Sequence, residues 1–125
     1  DLALDVVVID GYTSDGMPTA LASQRFYDDC HAALADGGLL VVNLHQRDSR
    51  YPRLLERMRR AFDGAVLVVA DRDGCNAIVF ASKGEGFGDY RPGIARLPMD
   101  LDAHAADQLL KAFAPIVAAL GQLSI

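Results

Sequence analysis

Two runs of apolar residues interrupt the polar background of this chain in the manner of strands. Leu4 to Ile9 (Leu-Asp-Val-Val-Val-Ile) stops at Asp10-Gly11, and Leu39 to Leu44 (Leu-Leu-Val-Val-Asn-Leu) follows Asp36-Gly37-Gly38. Continuous rather than alternating hydrophobicity is what a strand covered on both faces requires. The first run is therefore read as an interior parallel strand, with the second in the same sheet. Between them the period changes. Phe26, Tyr27, Cys30, Ala33 and Leu34 share one stripe of a helix that Ser23 can cap and Asp36-Gly37-Gly38 can end. Strand, helix and strand make one parallel βαβ unit with a right-handed crossover.

Pro52 suits a first helical turn and opens a segment with Leu54, Leu55, Met58, Ala61 and Phe62 at helical spacing. Two more β runs, residues 65–70 and 77–81, flank Asp71-Arg72-Asp73-Gly74, a short turn-rich link that suits an antiparallel hairpin closing one side of the sheet. Four glycines and two prolines between Gly84 and Pro98 mark a loop over 84–101. A last helix over 102–121 presents Ala106, Leu109, Leu110, Phe113, Val117 and Leu120 as its inward stripe, with Pro115 expected to kink it. The order β-α-β-α-β-β-α predicts an α/β fold in a single domain over 1–125. It is a partial Rossmann-like sheet, two parallel strands then an antiparallel hairpin, flanked by helices.

Composition narrows what such a fold can do. Half of the 125 residues are hydrophobic (51%), enough for a core. Seventeen acidic against twelve basic residues leave a formal charge of −5, which repels polyphosphates and anionic membranes, so neither nucleic acid nor a membrane is expected as a partner. No apolar run approaches the roughly 18 residues of a membrane span, and the acidic start lacks the charged-then-apolar order of a signal peptide. A cytoplasmic protein is expected. Cys30 and Cys75 show no metal-ligand spacing with His31, His45 or His104, so no metal is expected. Cys30, four residues from both Phe26 and Leu34, reads as a small buried side chain rather than a nucleophile.

In an open α/β sheet the ligand crevice lies beyond the carboxyl ends of the strands. Asp10 sits at such an end, and Asn43 and His45 at another, so the three can line one cleft. An acid that ends a strand also serves as a turn former, and position alone leaves both readings open. The polar loop from Gly11 to Pro18 follows directly and is placed to meet a substrate. Arg47, Arg50, Arg53, Arg57, Arg59 and Arg60 form the most basic stretch, yet Glu56 can pair with Arg60 and the interleaved residues are aliphatic, which favours a solvated helix face over a phosphate site. No Gly-x-Gly-x-x-Gly turn follows a strand, and Gly84-Glu85-Gly86-Phe87-Gly88 does not open a helix.

Leu4-Asp5-Val6-Val7-Val8-Ile9-Asp10, a glycine-containing loop, Phe26-Tyr27, Leu34 through Asn43, and Asn76 through Lys83 together resemble the second half of the spermidine synthase family of aminopropyltransferases. The likeness covers about the first two thirds of the chain, and the acid-to-Phe-Tyr spacing separates it from other methyltransferase-like folds. The resemblance implies that Asp10 is the catalytic proton acceptor for an attacking polyamine amine. It also implies that Tyr12, Thr13, Asp15 and Asp71 lie toward the substrate. Thr13-Ser14 stands where the family carries a second aspartate and a proline, and Asp71 where it carries a tyrosine. Decarboxylated S-adenosylmethionine, or S-adenosylmethionine itself, is implied as co-substrate, without a metal, and a polyamine-like molecule as acceptor. The family's nucleotide-binding glycines and ribose acid have no counterpart here, so this chain by itself is expected to be inactive. The exposed edge of the strand at 4–9 is expected to be covered in a homo-oligomer, most simply a dimer. A methyltransferase-like domain and a non-catalytic dimerisation module remain the alternatives.

Overall fold

A computed structural model describes residues 3–87 and 97–122. The chain divides into two compact units, Asp1–Gly86 and Phe87–Ile125. The first holds strand β1 (Leu4–Ile9), helix α1 (Gln24–Ala33), strand β2 (Leu34–His45), helix α2 (Tyr51–Ala61) and strands β3 (Val66–Ala70) and β4 (Asn76–Ser82). The expected α/β class is the observed one. A single four-stranded sheet runs in the order β1-β2-β4-β3, with β1 and β2 parallel and the other two pairings antiparallel.

Alternation along β2 sorts the two faces of this sheet. Leu40, Val42 and Leu44 are fully buried, with Val79 and Ala81 of β4, in one cluster that also takes Tyr27 and Cys30 from α1 and Leu54, Leu55 and Met58 from α2. Helix α1 is capped as expected, the Phe26 amide donating to Ser23 Oγ at 3.1 Å. Arg57 donates to the Ala22 carbonyl at 2.6 Å, and Gln24 to the Arg57 carbonyl at 3.0 Å, tying the two helices together. Arg60 pairs with Glu56 at 2.7 Å in the open. The basic stretch is thus partly structural and partly a solvated face.

Two expectations about the strands need correction. Helix α1 does not run on to Asp36-Gly37-Gly38; it ends at Ala33, and Leu34 is already extended at φ −80° and ψ 144°. The Asp-Gly-Gly stretch is a bulge within β2, where the register jumps from Leu4↔Leu34 to Val6↔Leu39. Gly37 adopts φ +80°, and a Cβ on Gly38 would stand 2.8 Å from the Ala35 carbonyl oxygen, so the bulge requires both glycines. Secondly, β1 is not interior. It is an edge strand whose only partner among the described residues is β2, and Leu4, Val6 and Val8 are exposed by 44%, 54% and 68%. An apolar run states that a strand belongs under cover but not what supplies the cover, which is why periodicity misplaced it.

In the second unit, helix α3 (Ala103–Gln122) is capped by Asp102, whose carboxylate accepts from the Ala105 amide at 2.7 Å, and it continues through Pro115. Within the predicted stripe Leu120 is buried and Leu110 exposed by 47%. Half of the loop expected over 84–101, residues 88–96, lies outside the described residues. Among the described residues no helix is long and apolar enough to cross a membrane.

Candidate functional site

Two chain reversals bring the chemistry to one edge of the sheet. Because β4 runs against β2 and β3 runs against β4, the strands β1, β2 and β3 all point the same way, and their carboxyl ends meet the start of β4. Asp10 follows β1, Asn43 lies near the end of β2, Asp71 follows β3, and Asn76 opens β4. These four form the polar wall of a cavity of about 330 Å³, floored by Val8, Ile9, Val41 and Ile78. That volume is within the range of small-molecule sites, which combine an apolar lining with a few convergent polar groups.

Among the described residues the two carboxylates in this wall meet no counter-charge. Asn43 Nδ2 donates to Asp10 Oδ1 at 3.2 Å, but among the described residues neither Asp10 nor Asp71 joins a salt bridge, and no lysine, arginine or histidine lines the cavity. The hairpin that presents Asp71 is pinned by its own backbone. The Asp71 amide donates to the Asn76 carbonyl at 2.8 Å, and Gln46 Nε2 donates to the same oxygen at 2.7 Å. A cleft with two unneutralised acids over aliphatic carbon suits an alkylammonium ion.

Other expected site residues lie elsewhere. His45, read as a neighbour of Asp10 in the cleft, does not line it; the ring stacks on Tyr12 with centroids 3.5 Å apart and planes 10° from parallel. Tyr12 also stays outside the cavity wall, donating its hydroxyl to Asp48 Oδ2 at 3.0 Å. Thr13 and Asp15 are exposed in a local turn, in which Thr13 Oγ1 donates to the Gly16 carbonyl at 3.0 Å and accepts from the Asp15 amide at 3.2 Å. Of the five residues that the resemblance implies, Asp10 and Asp71 share the cavity, and the other three belong to the adjoining loop.

Asp48 and Arg50 were missed, Arg50 because it read only as part of a basic stretch and Asp48 because nothing in the local sequence singles it out. Arg50 grips Asp48 with two parallel bonds, Nε to Oδ1 at 3.1 Å and a terminal nitrogen to Oδ2 at 3.0 Å, and that nitrogen also reaches the Met17 carbonyl at 3.1 Å. The loop after β1 is therefore fastened at both ends, at Tyr12 and at Met17, to the segment before α2. Hydrogen bonds from Arg50 hold the Asp48 carboxyl down at about 2, from 3.8. A carboxyl depressed in the folded state adds stability above its unfolded value, and that stability is lost as pH falls through the folded value. Asp48→Asn is accordingly expected to lower stability near neutrality by on the order of 1 kcal/mol, allowing for solvent screening, with the deficit vanishing between about pH 4 and pH 2. Urea midpoints of both proteins across that range provide the check; a deficit unchanged at pH 2 would show that the charge is irrelevant.

Among the described residues no group of three histidine, cysteine or acidic side chains is placed to hold a metal ion. Cys30 is buried, as its spacing predicts, and Cys75 is exposed.

No family model matches the chain. Over 77 residues, 62% of its length, it is 35% identical to a polyamine aminopropyltransferase of Neisseria meningitidis serogroup A and 31% identical to one of Chromobacterium violaceum. It spans only 29% and 30% of those two relatives. A crystal structure of spermidine synthase in complex with the transition-state analogue AdoDATO superimposes over 97% of this chain and 46% of its own length, with a TM-score of 0.61 at 21% identity. Spermidine synthase from Thermotoga maritima gives 0.58 at 22% identity, over 97% of this chain and 45% of that one. The chain is spermidine-synthase-like in its matched sequence and in its fold.

Proposed function

We propose that this chain carries the amine-accepting side of an aminopropyl-transfer site, with an ammonium group of a polyamine-like acceptor held in the cleft of Asp10 and Asp71. What supports the reading is the pair of carboxylates, without counter-ions among the described residues, above Val8, Val41 and Ile78. A polyamine alternates charged nitrogens with short methylene runs. Its nitrogens can donate to the acids while its methylenes cover the aliphatic floor, so both halves of the ligand find matching surface.

Asp10 has a second task in this proposal. An ammonium nitrogen becomes a nucleophile only when it gives up a proton, and a carboxylate within hydrogen-bond reach orients the group and accepts that proton during attack. The alkyl donor, decarboxylated S-adenosylmethionine in the leading reading, supplies an activated methylene beside a sulfonium. The cavity wall offers acids and amides suited to the amine and no glycine-rich turn suited to a nucleotide, so no step on the donor is assigned to these residues. This chain taken alone is proposed to bind the amine without transferring anything to it. Tyr12, Thr13 and Asp15 are assigned to the loop beside the cleft mouth, held in shape by the grip of Arg50 on Asp48.

Calorimetric titration of the chain with 1,4-diaminobutane tests the proposal, with 1,4-butanediol as the uncharged isostere. The diamine is expected to bind and the diol not to; equal binding of the two removes the electrostatic basis of the site.

The free edge of β1 is assigned in the same reading to a second copy of the chain. Val6 and Val8 stand exposed beside backbone groups that lack a strand partner among the described residues, and such an edge is a template for pairing. Sedimentation equilibrium is expected to show a dimer for the native sequence and a monomer for Val6→Lys. A native chain that stays monomeric throughout the accessible concentration range contradicts the assignment.

A further inference from the structure

We infer that Asn43 is a positioning residue for Asp10, kept in the strand at the expense of stability. The inference rests on the amine-binding reading of the cleft. Asn43 is the only polar residue in the run from Leu39 to Leu44, and it pairs across the sheet with Ile78. Its neighbours Val42 and Leu44 are fully buried, and Val41 and Ile78 form the cavity floor. Strand propensity and packing both favour an aliphatic residue at this place.

The amide is instead turned by chemistry. An ionised carboxylate accepts hydrogen bonds and donates none, so the side of Asn43 that faces Asp10 must be its NH₂ group, and Nδ2 donates to Oδ1 at 3.2 Å. That choice sends Asn43 Oδ1 to the other side, where it is shut away from solvent and has no hydrogen-bond partner among the described residues. Buried acceptors are nearly always paired, and a lone one marks a place where a local rule is broken. Here the broken rule has a compensating gain. With Oδ1 of Asp10 fastened to the wall, the carboxyl plane is fixed and its second oxygen stays available to an ammonium proton in the cleft. Asn43 lines the same cavity and its amide hydrogen-bonds the acid, and its effect on the amine is assigned to that bond, through Asp10.

A purely structural role and a positioning role predict opposite patterns. If Asn43 positions Asp10, Asn43→Leu removes the unpaired oxygen and is expected to raise the melting temperature while weakening 1,4-diaminobutane binding about tenfold, the loss expected when a fixed hydrogen-bonding geometry is released. Asn43→Ala, which cannot overfill the site, is expected to weaken binding to the same extent. If the leucine variant binds the diamine as tightly as the native chain, or if stability and binding fall together in both variants, the inference is overturned. A further arm needs no ligand. In a ¹⁵N-labelled chain the Asn43 side-chain amide signals are expected to shift on Asp10→Ala, and unmoved signals would show that the two groups do not interact. Should the native chain fail to bind the diamine at all, the reading of the cleft falls, and this last arm still decides whether Asn43 holds Asp10.

Discussion

Asp10→Asn is expected to weaken binding of 1,4-diaminobutane about tenfold or more while leaving the melting temperature close to native. Asparagine keeps the shape of the side chain and one acceptor oxygen, so the substitution isolates charge. A hydrogen bond to a charged group contributes roughly 1.5–3 kcal/mol, and about 1.4 kcal/mol is tenfold in affinity. The exposure of Asp10 in the free protein argues for the lower end, because water competes for it until the ligand covers it. Asp71→Asn should act in the same direction, and the two together more strongly than either, since both acids line the cleft. Arg53→Gln, on the basic side of α2, provides the control and should leave affinity unchanged. Where transfer itself is measured, in an aminopropyltransferase whose matching stretch has been replaced by these residues, Asp10→Asn also removes the proton acceptor, and turnover should fall about 10²–10⁴-fold. Unaltered turnover there would restrict Asp10 to binding.

The largest effect on stability is expected at Tyr27, where two substitutions should separate cleanly. Its ring is fully buried and meets Phe26 edge to face, with centroids 5.6 Å apart, so Tyr27→Ala leaves a large void and should cost about 3–5 kcal/mol. Against a total of roughly 5–15 kcal/mol for a domain, that is enough to unfold a marginal chain. The hydroxyl tells a different story. It is buried without a hydrogen-bond partner among the described residues, and burial pushes the phenol up to about 12, from 10.0. A polar group desolvated without a partner opposes folding, so Tyr27→Phe should be neutral or slightly stabilising. It should also remove an alkaline liability. With the folded value above the unfolded one, the tyrosine's contribution is intact below about pH 10 and is lost as pH rises toward about 12, whereas phenylalanine has nothing to ionise. Denaturant midpoints at pH 7 and pH 11 for the three proteins decide this; a phenylalanine variant as damaged as the alanine one would mean that the hydroxyl has a partner.

Local pattern carried most of the fold and part of the site. The period-3.6 stripes of α1, as far as Ala33, and of α2, the Ser23 cap and the turn between β3 and β4 all depend on neighbours within a few residues, and each lies where it was expected. What failed was non-local. The edge position of β1 depends on which strands stand beside it; the periodicity of Leu4 to Ile9 does not encode that, and the expectation of an exposed edge there came from the resemblance alone. The bulge at Gly37-Gly38 looked like a helix stop because the same backbone freedom serves either purpose.

The site divides in the same way. Asp10 and Asn43 were visible as strand-end polar residues, but Asn76 enters the wall only because β3 and β4 double back and return the chain to the edge where β1 and β2 end. His45 was drawn off by a stacking partner, Tyr12, thirty-three positions away, and Asp48 gave no signal because its role rests on Arg50, Tyr12 and Met17 meeting in space.

The most direct test of the central claim is a chemical-shift titration of the ¹⁵N-labelled chain with 1,4-diaminobutane. Saturable shifts should concentrate at Asp10, Asn43, Asp71, Asn76 and Ile78, with the α2 residues Arg53 and Arg60 unmoved. Shifts spread over the acidic surface without saturation, or centred away from the carboxyl ends of β1, β2 and β3, would contradict it.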